Sequence, residues 1–511
     1  MDDNKGKSDE NQPSGDTSQN KNVANPFGTI EVINQPVPPQ PMPQVEEVSD
    51  QVETAAPEDV TASTAPPPNM SPPPIYEDNR HKYMIIGGVA IFFIMILGLL
   101  LSLILRGGAK QANVTLTYWG LWEEQETIQP LIAEYQRAHP NVKIEYTKMA
   151  PKDQYKEKLI QRSKNGKGPD IFRFHNTWLP QISDVATYIP SSIMSNVDFE
   201  KTFYPAFKQD LLKDNHYYGI PLYIDGLVLV YNETWFKNSN ITTPPNTWDD
   251  LLSIGEKLNP TKSGGKLMTG AIALGTAENV EHFSDALCMM ILQNGATLSN
   301  LSTQEAAGAL ETYRYFAEGD VKYWDESMPN SVTAFAQEKV AMIIVPVWEI
   351  LTIHSMNPDL KMKVVPIPYI PGRNKRISLS NYWVEGVSKY SRNQIEAWKF
   401  LKFLSEKEQL AKLYQNQKKV RLFGTPYSRV DMASLLAQDQ YLGAVIQTAQ
   451  SDSFKSLPCV DRTYDEGLND RVVGYLKNAV NATIQGADYS EALQTAQSGI
   501  SQLYDQYGIK K

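Results

Sequence analysis

YGIPLYIDGLVLVYNETWFKNSNITTPPNTWDDLLSIGEKL, residues 218–258, is the stretch on which the chain turns. Within it Gly226–Tyr231 is a short apolar run closed by a polar Asn, which predicts a buried strand. A loop rich in Asn, Thr and Pro follows. Thr247 then stands where a helix N-cap belongs, with Asp249 and Asp250 in the first turn and Trp248 as an apolar anchor. Those features predict a helix over Trp248–Leu258, since acidic groups near the N-terminus complement the helix dipole.

Outward from this stretch the same alternation continues. Val114–Tyr118 and Val142–Tyr146 read as strands, separated by Ile128, Leu131, Ile132 and Tyr135 at helical spacing up to Pro140. Two strands joined by a helix imply parallel pairing. Gln154–Ser163 reads as a polar helix, stopped by NGKGPD, and Ile171–Phe174 as the next strand. Further short apolar runs at Ala271–Leu274, Ala341–Val345 and Met362–Ile367 are separated by helical stretches such as Gln304–Phe316. The last hundred residues read as mostly helical, from Asn393–Glu406 through Asp470–Ile484 to Ser490–Tyr507. The pattern predicts an α/β architecture with helices covering open sheets, in which ligands sit beyond the carboxyl ends of strands.

Four of those strand-end segments are aromatic. They are Tyr118–Glu123 with Trp119 and Trp122, Phe174–Trp178 with Asn176, Val345–Glu349 with Trp348, and Ser380–Trp383 with Asn381 and Tyr382. A single tryptophan at such a place is ordinarily core. Four clusters, each beside a polar residue, read together as a pocket. Pyranose C–H faces stack on Trp and Tyr rings, while Asp, Glu and Asn satisfy hydroxyls that lose water.

With these residues in view, the chain resembles the family 1 extracellular solute-binding proteins of ABC importers, the maltose-binding-protein-like carbohydrate type. Residues 218–258 resemble the family's hinge crossing. AFAQEKVAMIIVPVWEI from Ala334 resembles its helix, strand and Trp-bearing loop, and ISLSNYWVEGVSKYSRNQIEAWKFLKFLSEKEQ from Ile377 its return to the first lobe. The resemblance covers residues 113–511. It implies a two-lobed, periplasmic-binding-protein-like (type II) clamshell, with lobe 1 over about 113–223 and 369–415 and lobe 2 over about 226–366 and 416–511. Crossings are expected near Tyr223–Gly226 and Pro366–Pro371. Ligand capture would close the lobes, and permease subunits of an importer would recognise the closed form. The resemblance points first to Trp348 as a sugar-stacking residue, then to Asn381, Tyr382 and Trp383, then to Trp119, Trp122 and Glu123. Asn176 and Trp178 join them from the strand-end reading. Tyr223 and Asp225 stand at the hinge entry, where Asp225 reaches a sugar hydroxyl or holds hinge backbone. His175 reads as a loop or structural histidine.

The chain has 511 residues, with 48 Lys and Arg against 58 Asp and Glu. Residues 1–82 hold five of the bases and fourteen of the acids, fourteen prolines, and Phe27 and Tyr76 as their aromatics. Such a segment cannot offset its ordering entropy by burial, which predicts a disordered, Pro-rich acidic tail. The remaining charges nearly balance, giving no electrostatic reason for a nucleic-acid partner. Residues 83–105, YMIIGGVAIFFIMILGLLLSLIL, carry no charge and at about 1.5 Å per residue can span a hydrocarbon core of about 30 Å. They read as an uncleaved transmembrane signal anchor, followed by a linker over 106–112, with the C-terminal domain outside the cytoplasm. Two cysteines, Cys288 and Cys459, leave a disulfide or two buried thiols open. No HExxH, GxSxG, GxxxxGK[ST] or CxxC occurs, so catalytic, metal and cofactor roles are not expected. Carboxylates abound, and a glycosidase needs only two. A ligand sensor or surface glycan-binding protein without an importer is the alternative.

Overall fold

The apolar run of the opening stretch forms the strand Leu227–Asn232 in the computed structural model, which describes residues 112–318, 322–372 and 376–509 together with Phe92, Phe93 and residues 95–97. Asn232 ends it by accepting hydrogen bonds from Thr234 N and Trp235 N, capping the short helix Glu233–Asn238. Thr247 opens Trp248–Leu258 as expected. Its hydroxyl accepts from Asp250 N at 3.1 Å, while the Asp250 carboxylate accepts from Thr247 N at 2.9 Å. Reciprocal caps of this kind stabilise a helix start by about 1 kcal/mol. The helix buries Trp248, Leu251, Ile254 and Leu258 on one face.

Two sheets organise residues 113–511. The first runs in the order Val142–Lys148, Val114–Gly120, Ile171–His175, Trp383–Ser388, Ala186–Thr187, with Ile220–Pro221 also pairing Trp383–Ser388. Its first three strands are parallel, as helix-joined strands must be. Trp383–Ser388 is antiparallel to Ile171–His175 because it arrives from the second sheet rather than through a crossover helix. The second sheet runs Gly270–Ile272, Val340–Pro346, Leu227–Asn232, Met362–Val365, with Leu227–Asn232 antiparallel to both neighbours. The α/β expectation therefore stands, with each sheet mixed rather than purely parallel.

The chain passes from the first sheet to the second between Pro221 and Leu227, and returns between Val365 and Trp383. These passages lie side by side, since Gly226 bridges Ser380. A Cβ on Gly226 would come within 2.3 Å of the Phe454 ring and 2.5 Å of Leu379 O, so only glycine fits there. Several helices lack the signals that reveal a half-exposed one. Phe283–Gln293 is buried on nearly every side and shows no polar stripe.

The described residues of 113–509 belong to one compact unit. The expected tail over 1–82 lies outside the described residues. So does the expected span over 83–105, except for Phe92, Phe93, Met95, Ile96 and Leu97, which are helical with exposed side chains. Among the described residues no helix is long and apolar enough to cross a membrane.

Candidate functional site

A cavity of about 420 Å³ is lined by segments that leave both sheets. Trp122 and Glu123 follow the strand Val114–Gly120, Trp348 follows Val340–Pro346, Tyr223 and Asp225 lie on the outward passage, and Asn381 and Trp383 lie on the return. Seven of the residues expected from sequence thus meet at one cavity.

Trp119, Asn176, Trp178 and Tyr382 stand behind it. Trp178 is fully buried and packs edge-on under Trp383, with ring centroids 5.1 Å apart. Trp119 packs toward Tyr155 at 6.5 Å. Asn176 donates to Asp210 at 3.0 Å and to Ser456 at 2.6 Å, and the Tyr382 hydroxyl donates to the same Asp210 carboxylate. Neighbours in an extended segment point to opposite sides, which is why Trp383 reaches the cavity and Tyr382 packs against Phe207.

The polar residues of the lining are held by buried partners. Arg173, on the strand Ile171–His175, donates Nε to Glu385 at 2.7 Å and pairs through its remaining nitrogens with Glu385 and Glu123. Glu123 is thereby oriented, and Gln417 approaches its other oxygen at 3.4 Å. Burial raises the Glu385 pKa against the pull of Arg173. Asp225 accepts from Gly226 N at 2.6 Å, Val347 N at 2.9 Å and Trp348 N at 3.1 Å. Its carboxylate therefore ties the outward passage to the loop bearing Trp348. Burial pushes its pKa up to about 7, although those three N–H groups favour the ionised form.

Behind Trp348 lies His282, edge-on at 5.5 Å, with Glu349 at 3.2 Å and Asp285 at 3.8 Å from its ring nitrogens. Burial opposes its protonation, but Asp285 and Glu349 outweigh that and raise its pKa to about 10. His175 is the opposite case. Burial lowers its pKa to about 4, so the ring is neutral; Nδ1 accepts from Thr177 N at 3.3 Å and Nε2 donates to Asn381 Oδ1 at 3.2 Å. The histidine read as structural is the one that orients Asn381.

Lys152, Arg421, Arg462 and Tyr464 also line the cavity and were not anticipated. Lys152 follows the strand Val142–Lys148, so the strand-end rule that found Trp122 reaches it too. Arg421 follows the helix Lys407–Lys418, and Arg462 and Tyr464 precede the helix Leu468–Ile484, well beyond the two-residue strand Phe454–Lys455, which is too short to mark them in the sequence. Their loop is anchored by a disulfide between Cys459 and Cys288 of the helix Phe283–Gln293, with Cα atoms 6.8 Å apart. Among the described residues no cluster of His, Cys, Asp and Glu could hold a metal ion.

Residues 119–411 match the family described as bacterial extracellular solute-binding protein. A binding protein of Brucella abortus (strain 2308) is 25% identical over 334 residues, covering 63% of this chain and 79% of that one. A maltotriose-binding protein of Pyrococcus abyssi (strain GE5 / Orsay) is 22% identical over 307 residues, covering 57% and 61%. Among solved structures, a cyclo/maltodextrin-binding protein complexed with maltotetraose superposes with a TM-score of 0.62 at 17% identity, covering 78% of this chain and 99% of that one. The superposition shows a periplasmic-binding-protein-like α/β fold.

Proposed function

The chain belongs to the bacterial extracellular solute-binding proteins, which are binders and not enzymes, and from that membership we propose that it captures a carbohydrate of oligosaccharide size and delivers it to an ABC importer. The observation that carries this reading is the make-up of the cavity. Trp122, Trp348, Trp383, Tyr223 and Tyr464 present rings beside polar groups, in a volume of about 420 Å³. Ligand pockets of about 300–1,000 Å³ with few placed polar groups are ordinary for small organic solutes, and the aromatic share suits sugars. The maltotriose-binding relative and the maltotetraose-bound structure support the same class.

In this reading the two sheets are the centres of two lobes, over about 113–223 with 369–415 and 226–366 with 416–511. The passages at Tyr223–Gly226 and Pro366–Pro371 are the hinge, and ligand stabilises a closed state by touching both lobes. Residues 83–105 hold the domain at the outer face of the membrane. Bonded Cys288 and Cys459 agree with an oxidising compartment.

The test is a thermal-shift screen of the full chain against neutral and acidic glycans. A carbohydrate that raises the melting temperature in a concentration-dependent way is the expected result. Trp348→Ala should weaken that ligand about tenfold, by loss of one stacking ring. If no glycan shifts the melt while another solute class does, the carbohydrate reading fails.

A further inference from the structure

The cavity lining holds three cations, Lys152, Arg421 and Arg462, and two carboxylates, Glu123 and Asp225. Both carboxylates are engaged. Glu123 pairs with Arg173, and Asp225 accepts three backbone N–H groups. Arg462 pairs with Glu281. Lys152 and Arg421 are different. Among the described residues neither makes an ion pair. The Lys152 ammonium lies 4.0 Å over the Trp122 ring and 5.9 Å from that of Tyr464, and burial together with Lys148 lowers its pKa. Arg421 donates Nε to Phe423 O at 3.0 Å, while its Nη2 is buried without an acceptor.

Arg421 Nη2 is one of three such donors on lining residues. Trp122 Nε1 and Asn381 Nδ2 are also buried without acceptors. For Asn381 the orientation is set, because its Oδ1 is taken by His175 and the amide nitrogen is left over. No lining side chain carries a buried acceptor lacking a donor. A buried donor without a partner is costly, and a buried cation more so, which makes the complementary ligand rich in oxygen acceptors and negatively charged.

We propose that the carbohydrate taken by this cavity carries an acidic group, a carboxylate or a phosphate, which Arg421 and Lys152 neutralise. This rests on the carbohydrate reading above and narrows it. A neutral sugar satisfies the orphan donors with hydroxyl oxygens but leaves Lys152 and Arg421 without an ion-pair partner in contact, Arg421 being attracted by Glu123 and Asp225 only at longer range.

Calorimetric titration of the full chain with matched pairs tests it: galactobiose against digalacturonate for the carboxylate, and glucose against glucose 1-phosphate for the phosphate. The acidic member of at least one pair should bind about tenfold tighter or more, with affinity falling as salt rises, and the pair that responds identifies the acid. Arg421→Met and, separately, Lys152→Met should bring the acid-to-neutral affinity ratio toward one, whereas Arg421→Lys should keep part of it. If an Arg421 variant fails to fold, the Lys152 variant and the salt dependence decide the matter. Neutral members binding as tightly as their acidic partners would overturn the proposal and leave the carbohydrate reading intact. Binding of neither member of either pair, to wild-type chain that melts cooperatively and does bind a non-carbohydrate solute, would overturn both.

Discussion

Asp225 joins two segments of chain through one carboxylate. It ties the Trp348 loop through Val347 N and Trp348 N, and it does so from a buried position that holds its pKa near 7. Because that value lies above the ordinary carboxylate range, the folded chain binds the proton more tightly than the unfolded one. This group's contribution to stability therefore falls as pH rises from about 4 through 7, and is level above that, by on the order of a few kcal/mol. Asp225→Asn removes the titration. Denaturant melts at about pH 5 and pH 8 should show wild type losing stability relative to the variant across that interval; a difference that stays constant with pH would refute the assignment. His282 runs the same way in a higher window. Its pKa is raised to about 10, so its contribution is complete below the ordinary histidine pKa and is lost progressively as pH rises from there through 10.

At the scale of elements, the loop that brings Arg462 and Tyr464 to the cavity is held by the Cys288–Cys459 bond, which closes 171 residues of chain. Removing a bridge over so long a loop costs about 2–5 kcal/mol, chiefly by freeing the unfolded chain. Cys288→Ala with Cys459→Ala should lower the melting temperature and also weaken ligand, since the loop loses its anchor. A lowered melt with unchanged affinity would mean that the loop is held by packing alone. This element also shows what sequence could not reveal. Strand ends are legible because apolar runs stop abruptly, and that signal found Trp122 and Trp348; Trp383, read in the same way, instead opens the strand Trp383–Ser388. Loops after a helix, or after a strand only two residues long such as Phe454–Lys455, carry no such punctuation, so Arg421, Arg462 and Tyr464 stayed hidden. The two cysteines were visible, but their pairing depends on a 6.8 Å Cα separation that no spacing encodes. Adjacent residues at strand ends raised a further ambiguity: periodicity placed Tyr382 and Trp383 together, and only the backbone direction decided which faces the cavity.

For the molecule as a whole, a division in two came only as an implication of the family resemblance, while the α/β architecture was legible from the alternation of strands and helices and from residues 218–258, whose strand, cap and helix fall where local chemistry puts them. The mixed direction of each sheet was not, because strand polarity depends on where the chain has been rather than on local sequence. If the proposed lobes close on ligand, small-angle scattering should show a smaller radius of gyration with a bound glycan than without it, and equal radii would argue against closure. Deleting residues 83–105 should move the protein from the membrane fraction to the soluble one while ligand binding survives; continued sedimentation with membranes would place the anchor elsewhere.

Trp383–Ser388 enters the first sheet beside Ile171–His175, and the ion pair between them joins Arg173 to Glu385, 212 positions later. The second sheet is thus made entirely within an interruption of the first. During synthesis its strands can pair while the first sheet still lacks a strand and Arg173, already within reach of Glu123, still lacks its second partner, Glu385. Such long-range closure makes for slow completion. A chain that has yet to reach Glu385 therefore keeps one edge of Ile171–His175 unpaired, an open template for another strand until its own arrives.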